Sequence, residues 1–174
     1  MQRILVVGST GAGKSTMARG IARRLGLPFH EMDALHFIGP DWQENPDLVE
    51  QVTGIVRGPD GWVFDSIGHP RVRDLLWEHA DTVVWLDYSR HVVLARVLRR
   101  SLRRTLLRER IFGGNREGVA EWFRADHPVW WAMSQYNGRR TEILRRTRDP
   151  RFAPLRVIRY GSPRSVRRPA DALL

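Results

Sequence analysis

Short runs of apolar residues alternate along this chain with longer segments in which apolar residues recur every three or four positions. The continuous runs predict strands at residues 3–7, 28–32, 62–64, 82–86 and 155–158. The segments with helical spacing predict helices at residues 14–25, 45–57, 72–79, 89–98, 117–124 and 127–147, with a short helix after residue 163. Continuously apolar strands that alternate with helices are typical of a parallel sheet covered on both faces. We therefore predict one α/β domain over residues 1–174.

Polar features follow the ends of four predicted strands. They are a glycine-rich loop at residues 8–15 and the carboxylates Asp33, Asp65 and Asp87. In open parallel sheets, ligands bind in the crevice beyond the carboxyl ends of the strands. We expect these features to converge at that edge of the sheet and to form the functional site.

The glycine-rich loop fits the phosphate-binding pattern G-x-x-x-x-G-K-[ST]. Backbone N–H groups of such a loop and of the following helix point at phosphates, and the lysine reaches the β- and γ-phosphates. Lys14 is the only lysine among 29 basic residues, so the chain uses an ammonium group at this position alone. A glycine-rich turn with an unrelated lysine is the alternative, which the strand before the loop and the helix after it disfavour. We predict that Ser15 binds Mg2+ and that nucleotide is bound by Gly8, Ser9, Thr10, Gly11, Ala12, Gly13, Lys14, Ser15 and Thr16.

The composition restricts the classes of partner, metal site and cellular compartment that fit this chain. The formal net charge of +10 indicates anionic partners, either nucleotide phosphates or nucleic acid. The absence of cysteine excludes disulfides and thiolate metal sites and is in keeping with a reducing compartment. No apolar run approaches the roughly 20 residues of a membrane span, and the first strand leaves no room for a signal peptide. We therefore expect a soluble, cytoplasmic protein without a membrane partner.

The carboxylates suit the chemistry of phosphoryl transfer. Asp33 is predicted to accept or orient the proton of an acceptor hydroxyl, with a helix cap or a turn as the alternative. Asp65 follows three apolar residues and is predicted to hold Mg2+ through water. His36, Trp42 and Arg71, together with Asp33, are predicted to line the acceptor pocket.

A run of arginines follows the fourth strand. Arg96, Arg100, Arg103 and Arg104 are spaced by three or four residues, so they share one face of a helix. We predict that Arg96 and Arg100 act with Lys14 as catalytic residues that contact the transferred phosphates. A solvated basic helix face is the alternative.

These residues together resemble the P-loop kinases of the adenylate, shikimate and gluconate kinase type, over nearly the whole chain in element order. Four segments carry the resemblance: the loop and the Leu-Gly-Leu-Pro-Phe at 25–29, Asp-Ala-Leu-His at 33–36, Phe-Asp-Ser-Ile-Gly-His-Pro-Arg at 64–71, and Leu-Asp at 86–87 with the arginines beyond it. Within that group the chain looks closest to the adenylate-kinase-related proteins called DNA topology modulation proteins. These share the Asp-Ala-Leu-His segment, a proline and a tryptophan after it, and an arginine-rich lid with Gly-Asn, here at 114–115.

The resemblance has implications for fold and function. It implies a three-layer α/β/α sandwich with a five-stranded parallel sheet in the order 2-3-1-4-5, an acceptor-binding segment at about 34–60 and an arginine-rich helical lid at about 101–120. It also implies that Asp87 is structural. The chain departs from nucleoside monophosphate kinases at Ser66, where an aspartate-glycine pair is usual, and at the displaced Arg71, which argues against AMP as the acceptor.

Three functions follow as hypotheses. The first is an ATP- and Mg2+-dependent kinase of a small metabolite or nucleotide, whose lid closes over the substrates. The second is a nucleic-acid-associated ATPase of the DNA topology modulation type, which the net charge and the arginine run favour. The third is a nucleotide-binding regulator without transfer activity. Neither the acceptor nor the oligomeric state follows from the sequence.

Overall fold

The computed structural model describes residues 2–39, 42–107 and 128–166. Its strands are β1 (Arg3–Gly8), β2 (Phe29–His30), β3 (Trp62–Phe64), β4 (Thr82–Leu86) and β5 (Arg156–Tyr160). Its α-helices are α1 (Lys14–Leu25), α2 (Met32–His36), α3 (Leu48–Arg57), α4 (Arg73–His79), α5 (Arg90–Leu107) and α6 (Pro128–Thr147). Short 3-10 turns follow at Pro150–Phe152 and Pro163–Ser165. The helix predicted at 117–124 and most of the lid predicted at 101–120 lie outside the described residues.

The five strands form one parallel sheet in the order β2-β3-β1-β4-β5, which confirms the predicted topology. In the central strand, Leu5 lies between Phe64 of β3 and Val83 of β4. Because consecutive side chains of a strand point to opposite faces, the apolar runs supply two cores. One core lies between the sheet and α3, α4 and α6, and the other lies between the sheet and α1 and α5. Trp62, a fully buried side chain, belongs to the first core.

The second predicted strand is shorter than expected. Residues 28–32 were predicted as extended, but only Phe29–His30 pair with β3, and α2 begins at Met32. The chain turns at Glu31, whose carbonyl accepts the N–H groups of Ala34 and Leu35. The carboxylate of Asp65 accepts the Met32 N–H at 3.1 Å, so this turn is tied to the end of β3.

Between α2 and α3, residues 36–39 and 42–45 pair in antiparallel fashion, and we call these two segments the hairpin. Phe37 pairs with Glu44, and the Ile38 N–H donates to the carbonyl of Gln43 at 3.0 Å. Asn45, which is 2% exposed, fastens the base of the hairpin. Its amide nitrogen donates to the Leu35 carbonyl at 2.8 Å and to the Gln51 side chain at 3.1 Å, and its oxygen accepts the Asp47 N–H. The helix predicted from residue 45 therefore begins three residues later, at Leu48.

The later elements match their predictions in kind, with shifted bounds. The last strand spans Arg156–Tyr160 rather than residues 155–158, and α5 continues as far as Leu107. No helix within residues 2–39, 42–107 and 128–166 combines the length and the apolar character that crossing a membrane requires.

Candidate active site

The glycine-rich loop connects β1 to α1 at the carboxyl edge of the sheet, as predicted. Gly11 and Gly13 have φ angles of +84° and +95°, in the left-handed region that favours glycine. A side chain at Gly11 would overlap Val97 of α5, so the loop lies directly against that helix. Lys14 is the first residue of α1, which places the unpaired N–H groups of the helix N-terminus beside the loop.

Lys14 lies in a buried environment that disfavours its charged form. Its ammonium donates to the carbonyl of Ser9 at 3.2 Å. Burial, followed by the positive charge of Arg139, lowers the pKa of Lys14 from 10.5 to about 8, whereas Asp33 and Asp65 oppose the shift. A strongly anionic ligand beside the ammonium would compensate for that burial.

A cavity of about 1140 Å3 opens beside the loop. That volume exceeds the usual range of a site for one small molecule, so it has room for a nucleotide tail and a second substrate. Seven cationic side chains line it: Lys14, Arg19, Arg73, Arg96, Arg100, Arg103 and Arg139. Three carboxylates line it as well: Glu31, Asp33 and Asp65. The cationic side chains of the lining can therefore bind anionic groups, and the fewer carboxylates can bind a hydroxyl group or a metal ion.

Most of the predicted site residues meet in this cavity. The predicted residues that line it are Thr10, Gly11, Gly13, Lys14, Ser15, Thr16, Asp33, His36, Trp42, Asp65, Arg96 and Arg100. Gly8, Ser9 and Ala12 belong to the loop but do not line the cavity, and Ser9 and Ala12 are buried beneath it.

Arg71 is the predicted acceptor residue that does not line the cavity. It is exposed, and its guanidinium donates to the carbonyl of Pro46 at 3.5 Å. Arg73 lines the cavity instead, and its Nε donates to the Gly68 carbonyl at 3.1 Å. The displacement arises because the chain turns through residues 66–72 before α4 begins at Arg73, which directs a different arginine to the site.

The carboxylates lie at the start of α2 and just after the end of β3, and they line the cavity beside the loop. Asp65 is 6% exposed, and its bond to the Met32 N–H fixes its orientation. Asp33 lies in the first turn of α2. Glu31 pairs with Arg19 of α1 at 2.6 Å, and burial and the nearby charge of Asp65 raise the pKa of Glu31 against the effect of Arg19.

The arginines of α5 approach the loop from the opposite side. Arg96 donates to the carbonyl of Ala12 at 2.8 Å and lies over the ring of Tyr88, with 5.3 Å from its guanidinium carbon to the ring centroid. Arg96 therefore supports the backbone of the loop, while Arg100 and Arg103, one and two turns farther along the helix, also line the cavity. The side chain of Arg104 lies outside the described residues.

Two further cavity residues, Arg139 and His69, were not predicted. Arg139 comes from α6, and burial lowers its pKa while the charge of Asp33 opposes that shift. The adjacent Arg140 makes two hydrogen bonds to the carboxylate of Asp87, at 2.8 and 3.2 Å, and Arg159 of β5 binds the same carboxylate. Asp87 thus lies in an ion-pair network that ties α6 to the sheet. Arg139 stands in one of several Arg-Arg pairs in the chain, and no spacing from a strand end distinguishes it.

The chain is similar in sequence to known proteins. The family model described as "ATPase family associated with various cellular activities (AAA)" matches residues 4–67, which is less than half of the chain. A shikimate kinase of Ruegeria pomeroyi is 31% identical over 155 residues, covering 89% of this chain. The chain spans 66% of that relative's length, just under two thirds.

Solved structures agree on the fold. The shikimate kinase from Acinetobacter baumannii in complex with shikimate has a TM-score of 0.53 at 16% identity, covering 99% of this chain and 88% of that one. A gluconokinase from Sinorhizobium meliloti 1021 has a TM-score of 0.50 at 19% identity, covering 98% and 86%. The phosphate-binding loop, the sheet order and these similarities identify this chain as having the fold of P-loop kinases of the shikimate and gluconate kinase type.

Proposed function

We propose that this protein is an ATP-dependent kinase that transfers the γ-phosphoryl group of ATP to a small metabolite or nucleotide. The observation that carries this proposal is that Lys14, Asp33, Asp65 and arginines of α5 and α6 line one cavity. Phosphoryl transfer depends mainly on placing two substrates in line and on neutralising charge on the transferred group. The 31% identity to a protein named shikimate kinase supports the same class of reaction.

The proposed reaction assigns a task to each group. An oxygen of the acceptor attacks the γ-phosphorus, the bond from that phosphorus to the β,γ-bridging oxygen breaks, and ADP leaves. Where the attacking group is a hydroxyl, its proton passes to the carboxylate of Asp33. Lys14 and Arg100 offset negative charge on the phosphoryl oxygens, and Arg96 keeps the loop in place through its bond to Ala12.

The residues present fit a Mg2+ ion carried by the nucleotide. The hydroxyl of Ser15 and the carboxylate of Asp65 line the same cavity. Within the described ranges, no group of three or more His, Asp or Glu side chains is arranged to hold a metal by itself. Mg2+ suits such a sparse site, because it keeps several waters and takes one or two protein oxygens in addition to phosphate oxygens. When bound, Mg2+ would neutralise charge on the β- and γ-phosphates.

An ATP-consumption screen against metabolites and nucleotides tests the proposal. We expect turnover with at least one acceptor and a loss of nucleotide binding in Lys14→Ala. With an acceptor that attacks through a hydroxyl, Asp33→Asn should lower kcat about 100- to 10,000-fold while leaving the KM for ATP nearly unchanged, as expected for loss of a general base. Arg57→Ala, which removes an exposed arginine of α3 outside the cavity, is the matched control. Background ATP consumption with every acceptor, together with unchanged nucleotide binding by Lys14→Ala, would refute the proposal.

The nucleic-acid-associated ATPase is the second candidate, and the net charge of +10 favours it. It corresponds to the resemblance to DNA topology modulation proteins. Against it, three arginines of α5 line the cavity and are therefore engaged at the proposed phosphate site. A DNA mobility shift that weakens steeply with salt, and that disappears when Arg99 and Arg103 are neutralised, would support this candidate.

A further inference from the structure

One wall of the cavity is built from aromatic rings, three of which belong to the hairpin segments 36–39 and 42–45. The rings of Phe37 and Trp42 meet edge to face with centroids 5.2 Å apart, and those of His36 and Phe37 lie 4.3 Å apart. The ring of His36 also lies 4.4 Å from that of His69, which follows β3. All four side chains line the cavity, so they form a continuous ring cluster on its wall.

The backbone of Trp42 adopts a left-handed conformation that residues other than glycine disfavour. Its φ is +59°, and within the described residues it is the only residue other than glycine with a positive φ. Non-glycine residues in the left-handed region are strained and concentrate at ligand-binding sites. The indole is nevertheless 47% exposed, so core packing does not explain why the conformation is kept.

His36 adds a second, independent indication of a ligand. The residue is only 8% exposed, and its Nδ1 has no hydrogen-bond partner among the described residues. A buried polar nitrogen without a hydrogen-bond partner destabilises the folded protein. Its Nε2 lies 3.7 Å from the carboxylate of Glu44, so only one of the two ring nitrogens has a polar partner nearby. A polar group of a bound molecule would satisfy the other side.

The charge around the cluster restricts the kind of ligand. Arg73 is bonded to the carbonyl of Gly68, next to His69, and Arg139 lines the same cavity. The seven cations of the lining outnumber its three carboxylates, which favours a second anion beside the nucleotide. A saturated polyol would need hydrogen bonds for each hydroxyl, whereas Phe37 offers none and the other three rings offer few.

We propose that the phosphoryl acceptor is an anion with a flat aromatic ring, such as a nucleobase compound, and that this ring stacks on the Phe37–Trp42 pair. The inference rests on the proposed kinase function and specifies its acceptor class. Stacking of a flat ring on an aromatic side chain tolerates many ring types, so Trp42 selects for flatness rather than for one base. The cations near His69 bind the negative charge of the acceptor, and Asp33 faces the same space.

The test compares flat anions with hydroxylated non-aromatic acids as acceptors. The probes are CMP, UMP, GMP and AMP on one side and gluconate and shikimate on the other. We expect turnover with at least one nucleotide. For that nucleotide, Trp42→Ala should raise the KM about 5- to 150-fold, the range that one stacked base contributes. The KM for ATP should change less than twofold, and Trp42→Phe should recover part of the loss.

Trp130→Ala is the matched control, because Trp130 is exposed to a similar degree, 51%, and does not line the cavity. Turnover confined to gluconate or shikimate would overturn the inference and leave the kinase proposal standing. An acceptor KM that is unchanged in Trp42→Ala would overturn it as well. If no acceptor supports ATP consumption, the kinase proposal fails. Saturation-transfer NMR with the same nucleotides then tests the ring contact separately: binding that Trp42→Ala abolishes supports a flat anion at this cluster, and absence of binding refutes it.

Discussion

Binding of nucleotide is expected to make Lys14 take up a proton. In the free protein, burial and Arg139 hold the pKa of Lys14 at about 8, although Asp33 and Asp65 work in the other direction. Nucleotide phosphates beside the ammonium favour its charged form, so the pKa in the complex returns to its ordinary value of 10.5 or above. Linkage then requires that binding weakens as pH rises through the pKa of the free state.

The size of the effect follows from these two pKa values. Binding should take up about 0.1 proton at pH 7, about 0.5 at pH 8 and about 0.9 at pH 9. The dissociation constant for MgADP should rise about tenfold between pH 7 and pH 9, which corresponds to about 1.4 kcal/mol. Below pH 7 Lys14 is already charged and its contribution to the pH dependence vanishes.

Isothermal titration calorimetry in buffers of different ionisation enthalpy measures the proton uptake directly. Lys14→Arg is the control, because a guanidinium stays charged over this range and its binding should show no uptake. A proton uptake that is constant between pH 7 and pH 9, or that is the same in Lys14→Arg, would show that the buried ammonium is not the titrating group.

Three further predictions concern the supports of the site. Gly11→Ala should weaken nucleotide binding at least about tenfold in a fluorescence titration, because a side chain at φ +84° would collide with Val97; unchanged affinity would contradict the close packing of loop and helix. Asn45→Ala should lower the free energy of unfolding by about 1–3 kcal/mol in urea, since it leaves buried partners of the amide unpaired; Asn45→Asp should lower it at least as much, because a buried carboxylate oxygen would face the carbonyl oxygen of Leu35. Asp87→Ala should cost about 1–3 kcal/mol in the same assay, and a value near zero would mean that its two arginines contribute no net stability.

The sequence was most informative where local pattern and topology agree. The five strands and the loop at residues 8–15 follow from the apolar runs and the glycine-rich pattern, whereas the order of the strands was implied by the resemblance to P-loop kinases. The boundary of β2 was wrong because a long-range bond, from Met32 to the carboxylate of Asp65, ends the extended segment early. Such a bond joins residues 33 positions apart and leaves no trace in either local sequence.

Contacts between residues far apart in the chain also explain why the sequence predicted only part of the cavity lining. Residues that follow strands, such as Asp33 and Asp65, are placed by topology and were found. Arg139 depends on the rotation of a helix that packs on the sheet far along the chain, and nothing in its sequence neighbourhood distinguishes it from the adjacent Arg140. Arg73 lines the cavity and the predicted Arg71 does not, because the turn before α4 changes which arginine side chain faces the cavity.

The pairing of Asp87 has a consequence for the field that a nucleotide meets. Asp87 follows Leu86, whose strand neighbour is Gly8, so an unshielded carboxylate there would stand next to the phosphate loop and repel its ligand. Arg140 and Arg159 both bind that carboxylate, whose side chain is 6% exposed, and together they give the group a net charge of +1. The group beside the strand that leads into the loop therefore attracts anions instead of repelling them, which raises their local concentration before any contact forms. The association rate of the nucleotide should accordingly be higher at low ionic strength. Part of this increase would come from the charge of the Asp87–Arg140–Arg159 group, which contains no residue of the loop.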